Sequence, residues 1–275
     1  MQRKPQVCLV LAVAFVSLAA VGCNKLRARD LLNKGVNAYK GAQFDVAIED
    51  FKQAKELDPT LTNAQLYLAT AYASQYIPGA PSAENVRYGE QAMAEFKDIL
   101  DKDPNNLSAL DGIGSILYNM AGTPFDADKM EQSKSYHQKH IQLKADDPEP
   151  YYWVGVIDWT LAYRGNKDMR DEYNSNTKKP VKDGDAMPAA LSKDFTAKYG
   201  QGVDEGISDL KKAIELKPDY DDAMAYLNLL YRQKADMEAT PEARDNDLKM
   251  ADDLVDKVKA IKQKRMENPQ QQPTS

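Results

Sequence analysis

From about residue 30 to residue 265 the apolar residues recur at intervals of three and four, the spacing of one buried helix face, and not at the interval of two that marks a half-buried strand. The first stretch shows this plainly, with Leu31, Gly35 and Tyr39 followed by Phe44, Ala47, Phe51, Ala54 and Leu57. No Asn-Gly or Asp-Gly turn joins two alternating apolar runs, and β-branched clusters are few. The pattern predicts an all-α chain of short amphipathic helices.

The helices are punctuated. Leu57-Asp58-Pro59, Lys102-Asp103-Pro104 and Leu216-Lys217-Pro218 each close an amphipathic segment, because proline has no amide hydrogen with which to continue a helix. Such recurrence signals a repeat architecture. Between residues 30 and 61, small residues at Gly35, Ala47 and Ala54 stand where two helices of a hairpin would cross closely, and Phe44 and Phe51 are expected to fill the space between hairpins. This unit resembles a tetratricopeptide repeat, a pair of antiparallel helices. The resemblance implies a right-handed superhelix, an α-solenoid, of about five such hairpins, with approximate units 29–61, 62–106, 107–147, 148–220 and 221–265. Extra residues interrupt it, including Pro78, Gly79 and Pro81 in the second unit and a longer insertion near 163–202 in the fourth. That insertion offers Pro188-Ala189-Ala190-Leu191 as a helix start. The tail, residues 266–275, lacks apolar side chains to bury beyond its first residue and is expected to be disordered.

The chain begins with a different pattern. Arg3 and Lys4 precede an apolar run from Val7 to Val21, about 15 residues and short of the roughly 20 that cross a bilayer. Ala20-Val21-Gly22-Cys23 follows. Residues 1–22 resemble a bacterial lipoprotein signal, which implies cleavage before Cys23 and lipid on that residue, with 23–28 as a tether. The alternative is an ordinary cleavage site beside a chance cysteine. The other cysteine, Cys8, lies within the leader, so the body contains no thiol for a disulfide, a metal or a nucleophile. The same resemblance implies, from Asn24 in place of Asp after the cysteine, the outer membrane, facing the periplasm.

Net charge is −6, and loss of Arg3 and Lys4 with the leader takes it to −8, an acidic balance unsuited to nucleic acid. The two histidines, His137 and His140, could share a helix face, but in the phase of the repeat they stand where Phe51 and Ala54 stand in the first unit, so packing is expected and not metal binding. Asp101-Lys102-Asp103-Pro104-Asn105-Asn106 lacks the glycine and distal glutamate of a calcium loop. No phosphate-cradling or nucleophile-elbow motif occurs. Neither cofactor, metal nor small-molecule substrate is expected.

The resemblance further implies that one face of each first helix lines an inner groove. The residues placed there are Leu32, Val36 and Tyr39, then Leu66 and Thr70, then Asp111, Ser115 and Tyr118, then Tyr152, Val156 and Trp159, and last Ala225 and Leu229. Members of the family that clamp a terminal carboxylate use lysine and asparagine on this face; Leu32, Val36, Leu66 and Thr70 stand at those places here. An extended segment or amphipathic helix with apolar anchors is the expected ligand. The function so implied is a lipid-anchored interaction scaffold serving assembly, localisation or secretion of another envelope protein. An enzyme with its site in the inserts and a passive spacer are the alternatives.

Overall fold

The structure, a computed structural model, describes residues 23–182 and 184–267. The leader, residues 1–22, and the tail from 268 onward lie outside the described residues. Among the described residues the chain forms ten helices, with one isolated bridge between Gly122 and Phe125 in place of any strand. None of the helices is long and apolar enough to cross a membrane. Two compact units divide between Phe125 and Asp126, which falls inside the third expected repeat.

Unit 1 holds α1 (23–40), α2 (Phe44–Leu57), α3 (Thr62–Gln75), α4 (Ala83–Lys102) and α5 (Leu107–Ala121). Residues 23–28 are the first turns of α1, with Ala28 fully buried, and so do not form the expected tether. The small positions read from the sequence do their work here. The ring of Phe51 lies so close to α1 that a Cβ on Gly35 would stand 2.5 Å from it, while Ala47 and Ala54 are fully buried. Phe44 behaves otherwise: it is half-buried at the start of α2, its ring edge-on to Tyr39 of the same hairpin at 5.4 Å, and does not fill the gap between hairpins. The expected turn at Pro78–Pro81 is closed by the buried Asn85, which accepts from the Ile77 amide at 2.6 Å and donates to the carbonyls of Ile77 and Ala80.

Unit 2 holds α6 (Ala127–Leu143), α7 (Pro148–Ser175), α8 (Ala189–Leu216), α9 (Asp221–Ala235) and α10 (Pro241–Glu267). The insertion near 163–202 is no separate domain. It lengthens α7 and α8 to 28 residues each and is closed by a loop before Pro188, which precedes the first residue of α8. The extension keeps the crossing device of the repeat: Gly155 accepts Leu210 and, further along, Gly165 accepts Tyr199, where added Cβ atoms would meet those side chains at 2.3 and 2.1 Å. Buried Arg170 pins the loop by donating to the carbonyls of Lys182 and Asp185 and to Asp236 Oδ2.

The repeat is most exact where second helices end. Asp58, Asp103, Lys144 and Lys217 cap α2, α4, α6 and α8 with nearly the same backbone, φ between −134 and −148° and ψ between 85 and 89°, each amide bonded to the carbonyl four residues back. Proline follows three of them and drives the preceding residue out of the helical region. Lys144 reaches the same geometry with Ala145 after it.

Candidate functional site: an aromatic strip on the inner face

In unit 2, α7 and α9 are neighbouring first helices, and the faces they turn toward each other carry linked aromatic rings. Tyr226 of α9 bridges two residues of α7, edge-on to Tyr152 at 5.7 Å and to Trp159 at 5.3 Å. Trp159 stacks on Tyr163 at 5.2 Å, and Tyr152 meets Tyr220 at 5.1 Å. Positions 152, 159 and 163 share one helix face, so the strip runs along α7 from its first turn into the extension. Tyr152, Trp159 and Tyr226 are half-exposed and Tyr163 is 45% exposed. The Tyr220 hydroxyl donates to Glu149 Oε2 at 2.9 Å; burial and the adjacent Glu149 charge push its pKa up, so it remains a neutral donor.

Sequence reasoning placed Tyr152 and Trp159 here. It also placed Val156, and that is corrected: Val156 is 1% exposed and cannot meet a partner. In the last hairpin Tyr226 carries the ring contacts of the strip, next to the Ala225 that phase alone had chosen. Tyr163 was missed because it was assigned to the insertion, though its spacing of four from Trp159 was a visible signal.

The first-helix residues read as groove positions in unit 1 lie in the same intermediate range of exposure as Tyr152, Trp159 and Tyr226. Leu32, Val36 and Tyr39 of α1 are half-buried and packed against its core. The Tyr39 hydroxyl pairs with Ser74 Oγ of α3 at 2.8 Å, and Thr70 spends its hydroxyl on the Leu66 carbonyl of its own helix at 2.8 Å. Leu66 and Tyr118 are half-buried. The expected packing of the histidines is seen: His137 is fully buried and stacked on Trp153 at 5.8 Å, and His140 is 3% exposed. Among the described residues no group of three His, Cys, Asp or Glu is placed to hold a metal. Cys23 is exposed at the start of α1.

A different face of α7, about 100–140° round the helix from the strip, carries a polar cluster that no motif signalled. Lys134 of α6 donates to Asp158 Oδ1 at 2.6 Å and to Glu205 Oε2 of α8 at 2.7 Å, and Gln138 donates to Glu205 Oε1. Asp158 is 3% exposed and lies against Gly202 and Gly206; a Cβ on Gly206 would stand 2.9 Å from the Asp158 Cβ, so the missing side chain there makes room for it. Burial pushes the Asp158 carboxyl up to about 7 against the pull of Lys134, and burial followed by the Glu205 charge pushes nearby Asp209 up to about 6. Burial would lower the Lys134 ammonium, but the two carboxylates outweigh it and hold its pKa above the ordinary lysine value.

The sign of the pH dependence follows. Between the ordinary carboxylate value and about 7 the folded protein binds more protons than the unfolded chain, so stability is greatest on the acid side of this window and falls as pH rises through it. The lysine contribution is lost only above its own ordinary value, outside that window. Thermal unfolding is expected at higher temperature at pH 5.5 than at pH 8, with the difference reduced in Asp158→Asn. A transition that moves the other way, or an unchanged difference in the variant, would contradict the assignment.

No family model matches the chain, and no curated protein matches it by sequence. Solved structures do. A crystal structure of MamA covers 90% of this chain and 98% of its own, with 16% identity and a TM-score of 0.55. MamA from Desulfovibrio magneticus RS-1 covers 87% and 97% with 14% identity and a TM-score of 0.53. YrrB, described as a TPR protein with an unusual peptide-binding site, covers 90% and 93% with 17% identity and a TM-score of 0.50. The chain has the tetratricopeptide-repeat fold. Within that fold α7 and α9 are first helices of adjacent repeats, the elements that carry the strip.

Proposed function

We propose that this tetratricopeptide-repeat protein is a non-catalytic interaction scaffold of a bacterial cell envelope, held to a membrane by lipid on Cys23 and binding a segment of another envelope protein along α7 and α9. The observation that carries the reading is the run of linked, partly open rings Tyr152, Tyr226, Trp159 and Tyr163. Rings already packed edge and face against one another have little rotamer freedom left to lose, and tyrosine and tryptophan are the usual anchors at interface centres. The insertion supports holding over reacting. Lys167 pairs with Asp171 within it, and Arg170 pairs with Asp236 at the end of α9, around a cleft of about 470 Å³. That YrrB, with the same fold, is described as having a peptide-binding site agrees with this use of the architecture.

The test places a photo-crosslinking amino acid at Tyr163 in cells. A discrete crosslinked protein is expected, lost when Trp159→Ala is added; no adduct, or one indifferent to Trp159, overturns the reading. The anchor is tested separately, since Cys23→Ala should leave the membrane fraction or persist as a precursor. If it fractionates and migrates like the parent, lipid attachment falls and the interaction reading stands.

A further inference from the structure

The first turns of α1 carry charge of one sign. Residues 23–29, Cys-Asn-Lys-Leu-Arg-Ala-Arg, hold three cations and no acid in a chain whose net charge is −6. Lys25, Arg27 and Arg29 are all exposed, and Leu26 among them is 69% exposed. Among the described residues none of these three cations makes a hydrogen bond or an ion pair, whereas Arg170, Arg232, Arg244 and Arg265 are each bonded within the fold. Two acids near them are engaged elsewhere. Asp30 pairs with Lys34 at 2.8 Å, and the Asp58 carboxylate accepts from the amide and hydroxyl of Thr60, with Lys25 and Arg29 adding only a weaker electrostatic pull.

Position decides what such a surface meets. Helix α1 begins at Cys23, and the buried Ala28 and Leu31 fix its first turns into unit 1. A helix rises about 1.5 Å per residue, so Lys25, Arg27 and Arg29 lie about 3, 6 and 9 Å from Cys23 along its axis. The polar layer of one bilayer leaflet is about 5–8 Å deep, and an anionic surface attracts cations within a Debye length of about 8 Å. With lipid on Cys23 the three cations therefore stand in the headgroup layer or at its edge. Long basic side chains keep their heads among phosphates while their stems lie along an apolar boundary. Leu26, one turn from Cys23 on the same face, is placed at that boundary.

We propose that the start of α1 is a membrane-contact site in which Lys25, Arg27 and Arg29 take anionic phospholipid headgroups, with Leu26 beside them at the interface. The proposal rests on the reading of Cys23 as the lipidated residue. Acyl chains alone hold a protein to a bilayer without setting its angle. This contact sets the angle, because α1 is built into its hairpin by the close packing of Phe51 on Gly35.

Cys23 is the one thiol outside the leader, so residues 23–275 can be coupled there, and only there, to a maleimide phospholipid in vesicles. Acetylation of Lys25 by a membrane-impermeant reagent is then followed by mass spectrometry against the exposed Lys40 at the other end of α1. It should be about fivefold slower on vesicles containing phosphatidylglycerol than on pure phosphatidylcholine, and high salt should remove the difference. Arg27→Gln with Arg29→Gln should also remove it, with an unchanged circular dichroism spectrum, and Leu26→Ser should weaken it. Lys262→Gln with Lys264→Gln, at the exposed basic end of α10, should leave it in place. Equal rates on the two vesicles, slowing that survives loss of both arginines, or slowing lost with the α10 pair overturns the proposal. Because the lipid is attached chemically, the result is independent of how cells process Cys23. Equal rates, together with a Cys23→Ala variant that leaves the membrane fraction in cells, remove the contact site alone. Slowing by anionic vesicles, together with a Cys23→Ala variant that fractionates like the parent, removes the anchor reading alone.

Discussion

Lys134→Met is expected to cost about 3–5 kcal/mol of stability at pH 8, the range seen when one member of a buried ion pair is removed and the other stays. Lys134 holds two carboxylates from two other helices, and its own side chain is only 9% exposed. Without the ammonium, Asp158 must keep an uncompensated charge with 2% of its side chain open to water, or take up a proton. Glu205 can turn outward, since 35% of its side chain is already exposed. The loss should therefore come from Asp158 and shrink toward pH 5.5, where that carboxyl is protonated at little expense. Asp158→Asn added to Lys134→Met should recover most of the stability, because the amide fills the same space against Gly202 and Gly206 without a charge. Chemical denaturation of the two single variants and the double variant decides it. A double variant as unstable as Lys134→Met alone would show that packing, not charge, holds α6 to α7 and α8.

Phe51→Ala should cost about 3–5 kcal/mol, the range for truncating a buried aromatic residue. Its ring is fully buried, is stacked on Tyr67 at 5.5 Å and covers the bare backbone of Gly35, which has no side chain with which to refill the space. Trp159→Ala removes a larger ring and should nevertheless cost less stability, because the half-exposed indole leaves behind a surface that water can reach and not a sealed cavity. Its effect should instead be read in partner capture, with a loss on the order of 1–4 kcal/mol for an aromatic anchor. Thermal unfolding and capture are measured on both variants. If Trp159→Ala unfolds the protein as severely as Phe51→Ala, or is stable and captures as well as the parent, the strip is part of the core and not a binding face.

Gly35, Phe51, Ala54, Asp58 and Pro59 show what sequence alone could determine. Helix period, crossing sites and stops are local properties: a glycine where helices touch or a proline after a helix acts through its own backbone and nearest turn, so spacing reveals it. Even the packing of His137 and His140 was readable, since the phase of the repeat assigns positions whatever residue fills them. Phase fails where a side chain's surroundings come from another helix. Val156 has the phase of a groove position and is 1% exposed, and in the last hairpin phase points to Ala225 where Tyr226 carries the ring contacts, a difference of one residue that turns a side chain by about 100°. Tyr163 joined the strip only because the insertion lengthened α7 in place of leaving it. Lys134, Asp158 and Glu205 stand 24 and 71 residues apart, each unremarkable alone in a chain rich in charge. The sequence by itself determined the helical period, the proline stops and the repeat; the tertiary structure alone decided how far helices ran, which faces were sealed and which charges were buried together, because desolvation depends on every element that closes around a site and not on the segment that carries the residue.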